Sequence, residues 1–556
     1  MAIYEEYTDK RDCYSSYEDL MKRFKIRYGA DFNFAYDVLD RLAAEKPDKL
    51  AMLWVGVDGG EKWITFQQMS RRSNQAANYF KSLGITKGDM VLLVLKRSDI
   101  FWYCMMALHK IGAVAVQATN MLLARDYIYR CNAAGIKMAV ITGDEDCTRH
   151  FDEGQPYETV SIKAVTKHKA AGDGWLDFEA GMDSQSEEWQ RPSGDANTKA
   201  SDVMLVSFSS GTTGYPKMVM HDFTYPLGHI VTGIFWHRVT EDGLHFTISD
   251  TGWLKSLWGK MYGQWLGESA IFTYDFDKFS AADILSKLEK YKVTTFCAPP
   301  TMLRMMVNED MRRYDLSSLQ HCCTAGEALN PDTFHRWKDF TGLSIHEGFG
   351  QTETTLTVAT LYPHTEPKPG SMGKPTPGYD LKVLDAAYSE APAGVTGEIC
   401  IRADIKTKPD GLFMGYYRNQ EATDETMAGG FYHSGDTAYR DESGYICYVG
   451  RNDDIIKSSG YRIGPSEVES VLLEHPAVLE AAVTGIPDQV RGFAVKATLV
   501  LKKDFTASDE MVKELQDFVK TRTAPYKYPR VIEFVAELPK TVNGKIKRAE
   551  IRAASK

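Results

Sequence analysis

Residues 205–220 read LVSFSSGTTGYPKMVM, in which an apolar strand runs into a loop of hydroxyl side chains and glycines. Glycines let a backbone approach a polyphosphate closely, hydroxyl groups add hydrogen-bond donors, and a lysine adds a point charge. A flexible polar hairpin is the alternative interpretation, but two glycines followed by Pro216 and Lys217 favour a phosphate-binding loop. The predicted phosphate-binding residues are Ser209, Ser210, Gly211, Thr212, Thr213, Gly214 and Lys217.

The loop does not have the spacing of a Walker A motif, G-x-x-x-x-G-K-[ST]. Two residues separate Gly214 from Lys217, and Met218 follows the lysine where a serine or threonine would be needed. A kinase or ATPase of the P-loop class is therefore disfavoured.

The composition is that of an ordinary soluble globular protein, with 43% hydrophobic and 25% charged residues. At 556 residues the chain exceeds the size at which one core keeps growing, so two or more domains are expected. The net charge of −10 gives no overall attraction for nucleic acid or anionic lipid. Any phosphate chemistry must therefore use local positive groups.

The cysteines and the N-terminal segment bear on the compartment. The nine cysteines are scattered without a C-x-x-C pair, which favours reduced thiols. The segment MAIYEEYTDK is polar and acidic, unlike a secretory signal or a basic transit peptide. No apolar run approaches the roughly 18 residues that a membrane span needs. We therefore expect a cytoplasmic protein with no membrane span.

Hydrophobic periodicity predicts individual helices and strands along the chain. The predicted helices include 66–83, 99–111, 124–134, 282–291 and 466–475. The predicted strands include 89–95, 113–117, 138–141, 294–298, 320–324, 379–384 and 397–402. Strands separated by helices are typical of a mostly parallel sheet that is covered on both faces.

The order of these elements indicates a large and a small domain. The helix–strand pattern fills residues 33–175 and recurs after a polar break near 182–200. After about residue 365, glycine, proline and short alternating strands predict a small antiparallel β unit. We expect an α/β and β fold, with two αβ subdomains and the β unit in a domain 1–452, followed by a small mobile α+β domain 453–556.

Five further motifs follow the glycine-rich loop: TAGEAL (324–329), EGFGQTE (347–353), YHSGD (432–436), GRNDDIIKSSGYRIGPSEVE (450–469) and PKTVNGKIKR (539–548). In this order, from about residue 35 to 555, they resemble the adenylate-forming superfamily of acyl-CoA synthetases, peptide-synthetase adenylation domains and luciferases. The wording SDTGW (249–253), SSGYRIGP and APYKYPR (524–530) resembles the medium-chain acyl-CoA synthetases most.

The resemblance implies an ATP-dependent reaction in which a carboxylate attacks the α-phosphorus and pyrophosphate leaves. Two anions must meet, so the site has to supply positive charge and exclude water. Glu353 then corresponds to the Mg²⁺ ligand, a hard-cation role that suits a carboxylate, and Thr352 to a donor for the α-phosphate and the acid. Lys545, presented by the Asn543–Gly544 turn, corresponds to the lysine that bridges both anions.

The remaining ATP contacts are also implied by resemblance. Asp436 corresponds to the ribose ligand, since a carboxylate accepts from both hydroxyls of a diol. Arg451 would add a ribose or phosphate contact, and Arg462 a phosphate contact. The adenine would be lined by Gly326, Glu327, Ala328, Glu347, Gly348 and Phe349.

The family works in two conformations, so the resemblance also implies a hinge and a coenzyme A surface. Asp453 occupies the hinge position, where backbone dihedrals change as the small domain rotates. The coenzyme A candidates, which follow the pantetheine path and the phosphates, are Ser459, Gly460, Tyr461, Arg491, Lys520, Tyr528 and Arg530.

Gly350 is the most informative residue for the acyl group. Members specific for acetate or propionate have tryptophan there, so glycine implies a larger acid. The other expected pocket residues are Trp236, Trp253, Lys255, Trp258 and Cys297. Trp236 and Trp258 in the walls favour medium-chain, branched or aryl acids over long chains, and Lys255 departs from an apolar pocket.

Other functions stay open from the residues alone. An adenylating enzyme that loads a carrier protein is the nearest alternative, and a light-emitting oxidase shares the fold. A non-catalytic sensor of nucleotides or acyl-adenylates would be expected to lack Glu353 or Lys545, and both are present. The expected partners are therefore ATP, coenzyme A and a carboxylic acid, with Mg²⁺ as cofactor and a homodimer as a compatible assembly.

Overall fold

Four sheets organise the chain in a computed structural model, which describes residues 2–167, 174–209, 216–459, 461–540 and 546–555. The first sheet has seven strands, and all its pairs are parallel except the last. In spatial order its strands are Leu176–Asp177, Ile162–Thr166, Met138–Thr142, Met90–Val94, Val114–Gln117, Val203–Phe208 and Met218–Asp222. The central strands are buried along their whole length, as expected for a parallel sheet covered by helices.

The second sheet has nine strands, with a parallel centre and antiparallel strands at both edges. Its spatial order is Lys374–Pro375, Leu356–Ala359, Ile345–Gly350, His321–Ala325, Thr295–Cys297, Leu244–Thr247, Ala270–Asp275, Leu50–Gly56 and Glu61–Thr65. The neighbouring strands that end at Ala325 and Gly350 are parallel, so their carboxyl ends lie at one edge. Such an edge is where open α/β sheets bind ligands.

The two αβ subdomains are not consecutive in the chain, contrary to what the sequence suggested, because each sheet contains a strand from the other side of the polar break at 182–200. Leu50–Gly56 pairs with Ala270–Asp275 in the second sheet, although it precedes all strands of the first. Val203–Phe208 pairs with Val114–Gln117 in the first sheet, although it follows the polar break at 182–200. That break is an exposed loop and not a subdomain boundary, because strand partners are chosen by burial and not by proximity in sequence.

Helices cover the faces of both sheets, and their ends follow the capping residues. The helix Phe66–Ser82 begins at a capping box formed by Thr65 and Gln68, and Ile100–Ile111 ends at Gly112 with φ of +81°. The α-helices are Tyr17–Arg23, Arg41–Glu45, Phe66–Ser82, Ile100–Ile111, Ala124–Ala134, Glu145–Glu153, Phe178–Asp183, Tyr225–Ile230, Lys255–Gly259, Tyr262–Leu266, Ala281–Lys290, Pro300–Met306, Pro331–Thr341, Gln420–Thr426, Pro465–Leu473, Asp509–Arg522 and Arg548–Ala554.

The small β unit is a four-stranded antiparallel sheet, as predicted after residue 365. Its strands are Leu381–Leu384, Gly397–Arg402, Phe431–Arg440 and Ile446–Arg451. The C-terminal sheet consists of Tyr461–Ile463, Ile456–Ser458, Gly492–Leu501 and Val478–Asp488, with Val531–Phe534 added parallel to the third of these. The predicted fold class is confirmed, and the domain boundary near Asp453 stays a prediction.

Three further observations bear on the predictions. The C-terminal sheet has a hydrophobic core of its own, which includes Val468, Leu472, Val483, Leu499 and Leu515. All nine cysteines are free thiols, and Cys13 alone among them is exposed. Among the described residues, no helix combines the length and the apolar character needed to cross a bilayer.

Candidate active site

The base of the glycine-rich loop is closed by two hydrogen bonds. The backbone N–H of Ser209 donates to the carbonyl of Lys217 over 2.8 Å, and the N–H of Lys217 donates to the Ser209 hydroxyl over 3.1 Å. These bonds extend the antiparallel pairing of the flanking strands, in which Phe208 faces Met218. The other predicted loop residues, Ser210, Gly211, Thr212, Thr213 and Gly214, lie outside the described residues.

Lys217 and Glu353 are brought together through a third residue, Tyr416. The Lys217 ammonium lies 4.6 Å from the centroid of the Tyr416 ring, and the Tyr416 hydroxyl donates to Glu353 Oε1 over 2.9 Å. A cation over the face of an aromatic ring is an attractive arrangement. Sequence reasoning missed Tyr416, because the surrounding LFMGYYRN carries no motif among those that indicate the family.

The Glu353 carboxyl lies in a site whose positive charges only partly offset its burial. Burial raises its pKa, while the Tyr416 hydrogen bond and the charges of Lys217 and Arg451 lower it without cancelling the effect of burial. A bound divalent cation would favour the ionised form of such a carboxyl. The donor set therefore fits the hard cation that the sequence predicts at Glu353.

Thr352 is fixed by the strand that leaves the glycine-rich loop. Its carbonyl accepts from Nε2 of His221 over 2.7 Å, and His221 lies on Met218–Asp222. Burial lowers the pKa of His221 to about 4, so the ring is neutral at physiological pH and carries its proton on Nε2. No motif marks this histidine, which connects the QTE segment to the strand that follows the phosphate loop.

Asp436 is buried and held by three side chains. Gln351 Nε2 donates to Oδ2 over 2.6 Å, the Tyr448 hydroxyl donates to Oδ1 over 3.0 Å, and Arg451 Nη1 lies 3.5 Å from Oδ2. Tyr432 in turn donates to Gln351 Oε1 over 2.5 Å. The predicted ribose ligand is therefore positioned by residues of three motifs.

Arg451 also reaches the predicted hinge. Its Nη1 donates to the carbonyl of Ser434 over 3.3 Å, and its Nε lies 3.5 Å from Oδ1 of Asp453. Arg462 lies on the short strand Tyr461–Ile463 and pairs in register with Lys457. The side chain of Arg462 lies outside the description, so its phosphate role stays a prediction.

The predicted adenine segments meet at the carboxyl ends of two parallel strands. Gly326 and Ala328 are exposed directly after His321–Ala325, and Thr301 donates to Glu327 Oε2 over 2.6 Å. On the adjacent strand, Phe349 lies 6.3 Å from the Tyr448 ring, measured between centroids.

Glu347 and Gly348 lie deeper on this second strand. Burial raises the pKa of Glu347 to about 8, and the N–H of Leu329 contacts its Oε2 at 3.4 Å. A Cβ built on Gly348 would lie 2.7 Å from the Trp236 ring, so glycine is required for this packing. Trp236 is thereby placed beneath the strand, with its Nε1 donating to the carbonyl of His346 over 3.1 Å.

Among the acyl candidates, Trp258 lies next to Gly350, and it fills the space beside this residue. A Cβ at position 350 would lie 2.4 Å from Trp258 Cη2 and 2.3 Å from the carbonyl oxygen of Thr355. Trp258 is buried and donates to the Tyr225 hydroxyl over 2.9 Å, which fixes its ring. The absence of a side chain at Gly350 therefore makes room for the Trp258 ring. The sequence predicted Trp258 as a wall residue but did not predict its contact with Gly350.

The other acyl candidates lie around the strand ends. Lys255 Nζ donates to the carbonyl of Ala325 over 2.8 Å, next to the predicted adenine segment. Cys297 is fully buried, and burial raises the pKa of its thiol. Trp253 is half-buried and accepts from the Ser256 hydroxyl through its carbonyl over 2.8 Å.

The coenzyme A candidates form two groups on the small domain. Lys520 Nζ and Arg530 Cζ lie 4.3 Å and 3.9 Å from the centroid of the Tyr528 ring. In the second group, Ser459 N–H donates to the carbonyl of Arg491 over 2.9 Å, and Tyr461 stacks on Tyr526 at 4.0 Å. Gly460 lies outside the described residues.

Lys545 also lies outside the described residues, but its motif is anchored. Arg548 binds Glu469 through two hydrogen bonds, Nε to Oε1 over 3.0 Å and Nη2 to Oε2 over 2.6 Å. Arg552, on the same helix, is ion-paired with Asp454, the residue after the predicted hinge. Glu469 and Arg548 are the final residues of the last two sequence motifs, and their place in these motifs was the only sequence feature that pointed to the pairing.

Comparisons with known protein families agree along the chain. The model of the AMP-binding enzyme family matches residues 39–417, and that of the AMP-binding enzyme C-terminal domain matches residues 467–545. The human mitochondrial acyl-coenzyme A synthetase ACSM3 is 39% identical over 97% of this chain and 92% of its own length. The mouse mitochondrial acyl-coenzyme A synthetase ACSM5 is 40% identical over 94% of this chain and 90% of its own length.

Solved structures of the same architecture cover nearly the whole chain. The anthranilate CoA ligase AuaEII, in complex with anthranoyl-AMP, matches with a TM-score of 0.86 and 29% identity, covering 95% of this chain and 98% of its own. A benzoate CoA ligase from Burkholderia xenovorans LB400 matches with a TM-score of 0.80 and 27% identity, covering 94% of this chain and 100% of its own.

The expectation of a cytoplasmic location is wrong by this comparison. The curated relatives named above are mitochondrial proteins. The expectation was based on the acidic, polar character of the first residues. The composition of this short segment does not determine the compartment of the folded protein.

Proposed function

The chain belongs to the AMP-binding enzyme family, and we propose that it is an AMP-forming acyl-CoA synthetase of medium-chain, branched or aryl carboxylic acids. The protein family and the enzyme class predicted from the sequence are confirmed by the family match and by relatives that are acyl-coenzyme A synthetases. Loading of a carrier protein is not favoured, since these relatives and the matching ligase structures are named for coenzyme A.

The link from Lys217 through Tyr416 to Glu353 carries the proposal. It joins the phosphate loop to the predicted metal ligand. Lys217 and Glu353 lie 136 positions apart in sequence, but both contact Tyr416. Adenylation needs positive charge where a carboxylate meets a triphosphate, and preorganised charge in a partly dry site is worth far more than the same charge in water.

The large domain supplies orientation for the nucleotide. Asp436 accepts ribose hydroxyls while Gln351, Tyr448 and Arg451 hold its carboxylate in place. Thr352 presents its hydroxyl to the α-phosphate and the acid, with its backbone fixed by His221. Mg²⁺ held by Glu353 would neutralise phosphate charge, and the residues around Glu353 fit that role.

The small domain completes two half-reactions in turn. Lys545 bridges the carboxylate and the α-phosphate during adenylation, after which rotation about Asp453 brings the coenzyme A residues to the acyl-adenylate. The thiol of coenzyme A then attacks the acyl carbon, its proton passes to solvent, and AMP is the leaving group. In support of the role of Lys545, Arg548, three residues after it in the same motif, is anchored to Glu469 by two hydrogen bonds.

The range of acids is supported by the residues around Gly350 and by the named relatives. Benzoate and anthranilate ligases match the whole fold, and an aromatic wall such as Trp258 suits a flat or short branched acid. We also propose a mitochondrial location, by analogy with the synthetases named above.

A thioester-formation screen tests the function. The purified protein is given ATP, Mg²⁺ and coenzyme A with acetate, butyrate, 2-methylbutyrate, hexanoate, octanoate and benzoate in turn, and AMP, pyrophosphate and acyl-CoA are measured. Equal amounts of AMP, pyrophosphate and thioester with acids larger than acetate are expected. Formation of ADP, or failure to release pyrophosphate with every acid, would contradict the proposal.

A control without coenzyme A separates adenylation from thioester formation. ATP–pyrophosphate exchange should persist without coenzyme A, because adenylation precedes thiol attack. Thioester formation with free coenzyme A and none with a carrier protein would exclude the carrier-loading alternative.

A further inference from the structure

Three side chains with different metal-ligand atoms meet on the small antiparallel sheet, away from Glu353. Glu398 and Cys400 lie on Gly397–Arg402, and His433 lies on Phe431–Arg440. Cys400 faces His433 in register, and the register shifts between Cys400 and Glu398. Side chains two residues apart on a strand point to the same face, so the Glu398 carboxylate and the Cys400 thiol both lie on the side of His433.

The donor atoms are close enough to share one ion. His433 Nδ1 lies 3.1 Å from Glu398 Oε2 and 3.6 Å from Cys400 Sγ. One ligand atom from each of the three residues lies within 4.8 Å of the others. Ligand atoms of a tetrahedral Zn²⁺ lie at similar separations, since the bonds to zinc are about 2.0–2.3 Å long.

In the tautomer of His433 with its proton on Nε2, the lone pair of Nδ1 can bind a metal ion. Nε2 lies 3.2 Å from the carbonyl oxygen of Ala428, which can only accept, so Nε2 carries the proton. In the neutral ring, the Nδ1 lone pair then faces the Glu398 carboxylate. Two lone pairs at 3.1 Å repel each other unless a positive charge, either a proton or a metal ion, lies between them.

We propose that Glu398, Cys400 and His433 bind a divalent transition-metal ion of the Zn²⁺ class, with one coordination position open to water. A thiolate and an imidazole select a borderline-soft ion, so this site differs from the Mg²⁺ role proposed for Glu353. On binding, the Cys400 thiol loses its proton to solvent and a sulfur–metal bond replaces it.

The surroundings satisfy two further requirements of such a site. The Ala428 carbonyl on Nε2 orients the imidazole, which is the usual second partner of a metal-bound histidine. The side chains of His433 and Glu398 are 18% and 23% exposed, so an ion reaches them from solvent although Cys400 is buried.

Occupancy should stiffen the segment that leads to Asp436. Glu398 uses its other oxygen, Oε1, to accept from the N–H of Gly435 over 2.9 Å. Ser434 donates to the carbonyl of Ile399 over 2.6 Å and accepts from the N–H of Asp436 over 3.1 Å. An ion that joins Glu398 to His433 therefore cross-links the strand that carries the predicted ribose ligand, Asp436, to the neighbouring strand Gly397–Arg402.

Cobalt and zinc titrations of the full-length protein test the site. After treatment with a chelator, the protein is titrated with Co²⁺, and thiolate-to-metal charge transfer is recorded by absorption. Zn²⁺ affinity is then measured in competition with a chromophoric chelator in the presence of excess Mg²⁺. One equivalent of Co²⁺ with a charge-transfer band, displaced by Zn²⁺ and not by Mg²⁺, is expected.

Variants assign the band to these residues. Cys400→Ser should abolish it, and His433→Phe should weaken Zn²⁺ binding by about 100-fold or more, since even changes to partners of ligands cost 10–100-fold. Cys13→Ser, which removes the exposed thiol, and Glu353→Gln should keep both the band and the affinity. Melting of each apo variant by circular dichroism verifies that it is folded.

The outcomes are unambiguous. A rise in melting temperature with Zn²⁺ in the original protein and in Cys13→Ser, but not in Cys400→Ser, would support the site. Absence of a stoichiometric complex, or Zn²⁺ binding of equal strength in all four variants, would overturn the proposal.

Discussion

The nucleotide site and the coenzyme A surface differ in how their charges are held. In the large domain, Asp436 is 4% exposed and is fixed by hydrogen bonds from Gln351 and Tyr448. In the small domain, Arg530 is exposed, and Lys520 pairs with Asp517 three positions away. Buried charge is preorganised at the cost of desolvation, whereas exposed charge is screened and individually weak.

We infer that the two half-reactions depend on different kinds of contact. The predicted adenylation site relies on a few groups that are buried or largely buried, and water cannot replace them. The predicted coenzyme A surface relies on several exposed or partly exposed cations, so the loss of one is partly compensated by the others. The predictions below ask whether single substitutions have unequal effects in the two regions.

The largest effect is expected for Glu353→Gln. The amide keeps a partner for the Tyr416 hydroxyl but removes the negative charge, so acyl-adenylate formation should fall by about 10²–10³-fold. The rate is measured by ATP–pyrophosphate exchange at saturating acid. Tyr416→Phe is the control: it removes the hydrogen bond and keeps the charge, and should cost less. Equal exchange rates in Glu353→Gln and the original protein would remove Glu353 from the site.

The second effect concerns the acid and follows from the Trp258 ring beside Gly350. Trp258→Ala should raise kcat/KM for octanoate relative to butyrate by about 10-fold, because space for each methylene is worth about 1–3 kcal/mol. The measurement is competition between the two acids in thioester formation. Trp63→Ala, an exposed tryptophan on the edge strand Glu61–Thr65, should leave this ratio unchanged. An unchanged ratio in Trp258→Ala would place the acyl group elsewhere.

A smaller effect is expected at the coenzyme A surface. Arg530→Ala should raise the KM for coenzyme A by about 10-fold, equivalent to ~1.4 kcal/mol, while ATP–pyrophosphate exchange is retained. The expected size is modest because Lys520 remains over the same Tyr528 ring. Arg313→Ala, an exposed arginine of the large domain that is paired with Asp310, is the matched control. A loss of exchange in Arg530→Ala would show that the two regions are not separable.

The sequence predicted local elements well and their assembly less well. Ala124–Ala134 and Gly397–Arg402 were predicted with the bounds that the structure has, because periodicity and turn residues act locally. The exchange of Leu50–Gly56 and Val203–Phe208 between sheets was not predicted, because strand pairing at long range leaves no trace in the local pattern.

The same division holds in the site. Motifs identified Asp436 and Glu353, whose roles by resemblance stay predictions. Gln351 and Arg451, which hold Asp436, also lie in motifs, but other residues that hold these two acids do not. Tyr416, His221 and Tyr448 lie in segments without a distinctive spacing, and they contact the motif residues only after folding. Side chains that position others are chosen by three-dimensional packing, so a single sequence does not reveal them.

The smallest effect concerns pH and tests whether a buried acid in the large domain is held neutral. Burial raises the pKa of Glu347 from an ordinary 4.5 to about 8, so the folded protein keeps a proton that the unfolded chain releases above pH 4.5. The unfolded state thus binds fewer protons between these values, and stability due to this group falls as pH rises toward 8. Glu347→Gln cannot ionise, so its melting temperature without ATP should gain on that of the original protein by about 1–3 °C between pH 5 and pH 8. Glu309→Gln, at an exposed position, should show no such gain, and a constant difference across this range for Glu347→Gln would mean that the carboxyl ionises normally.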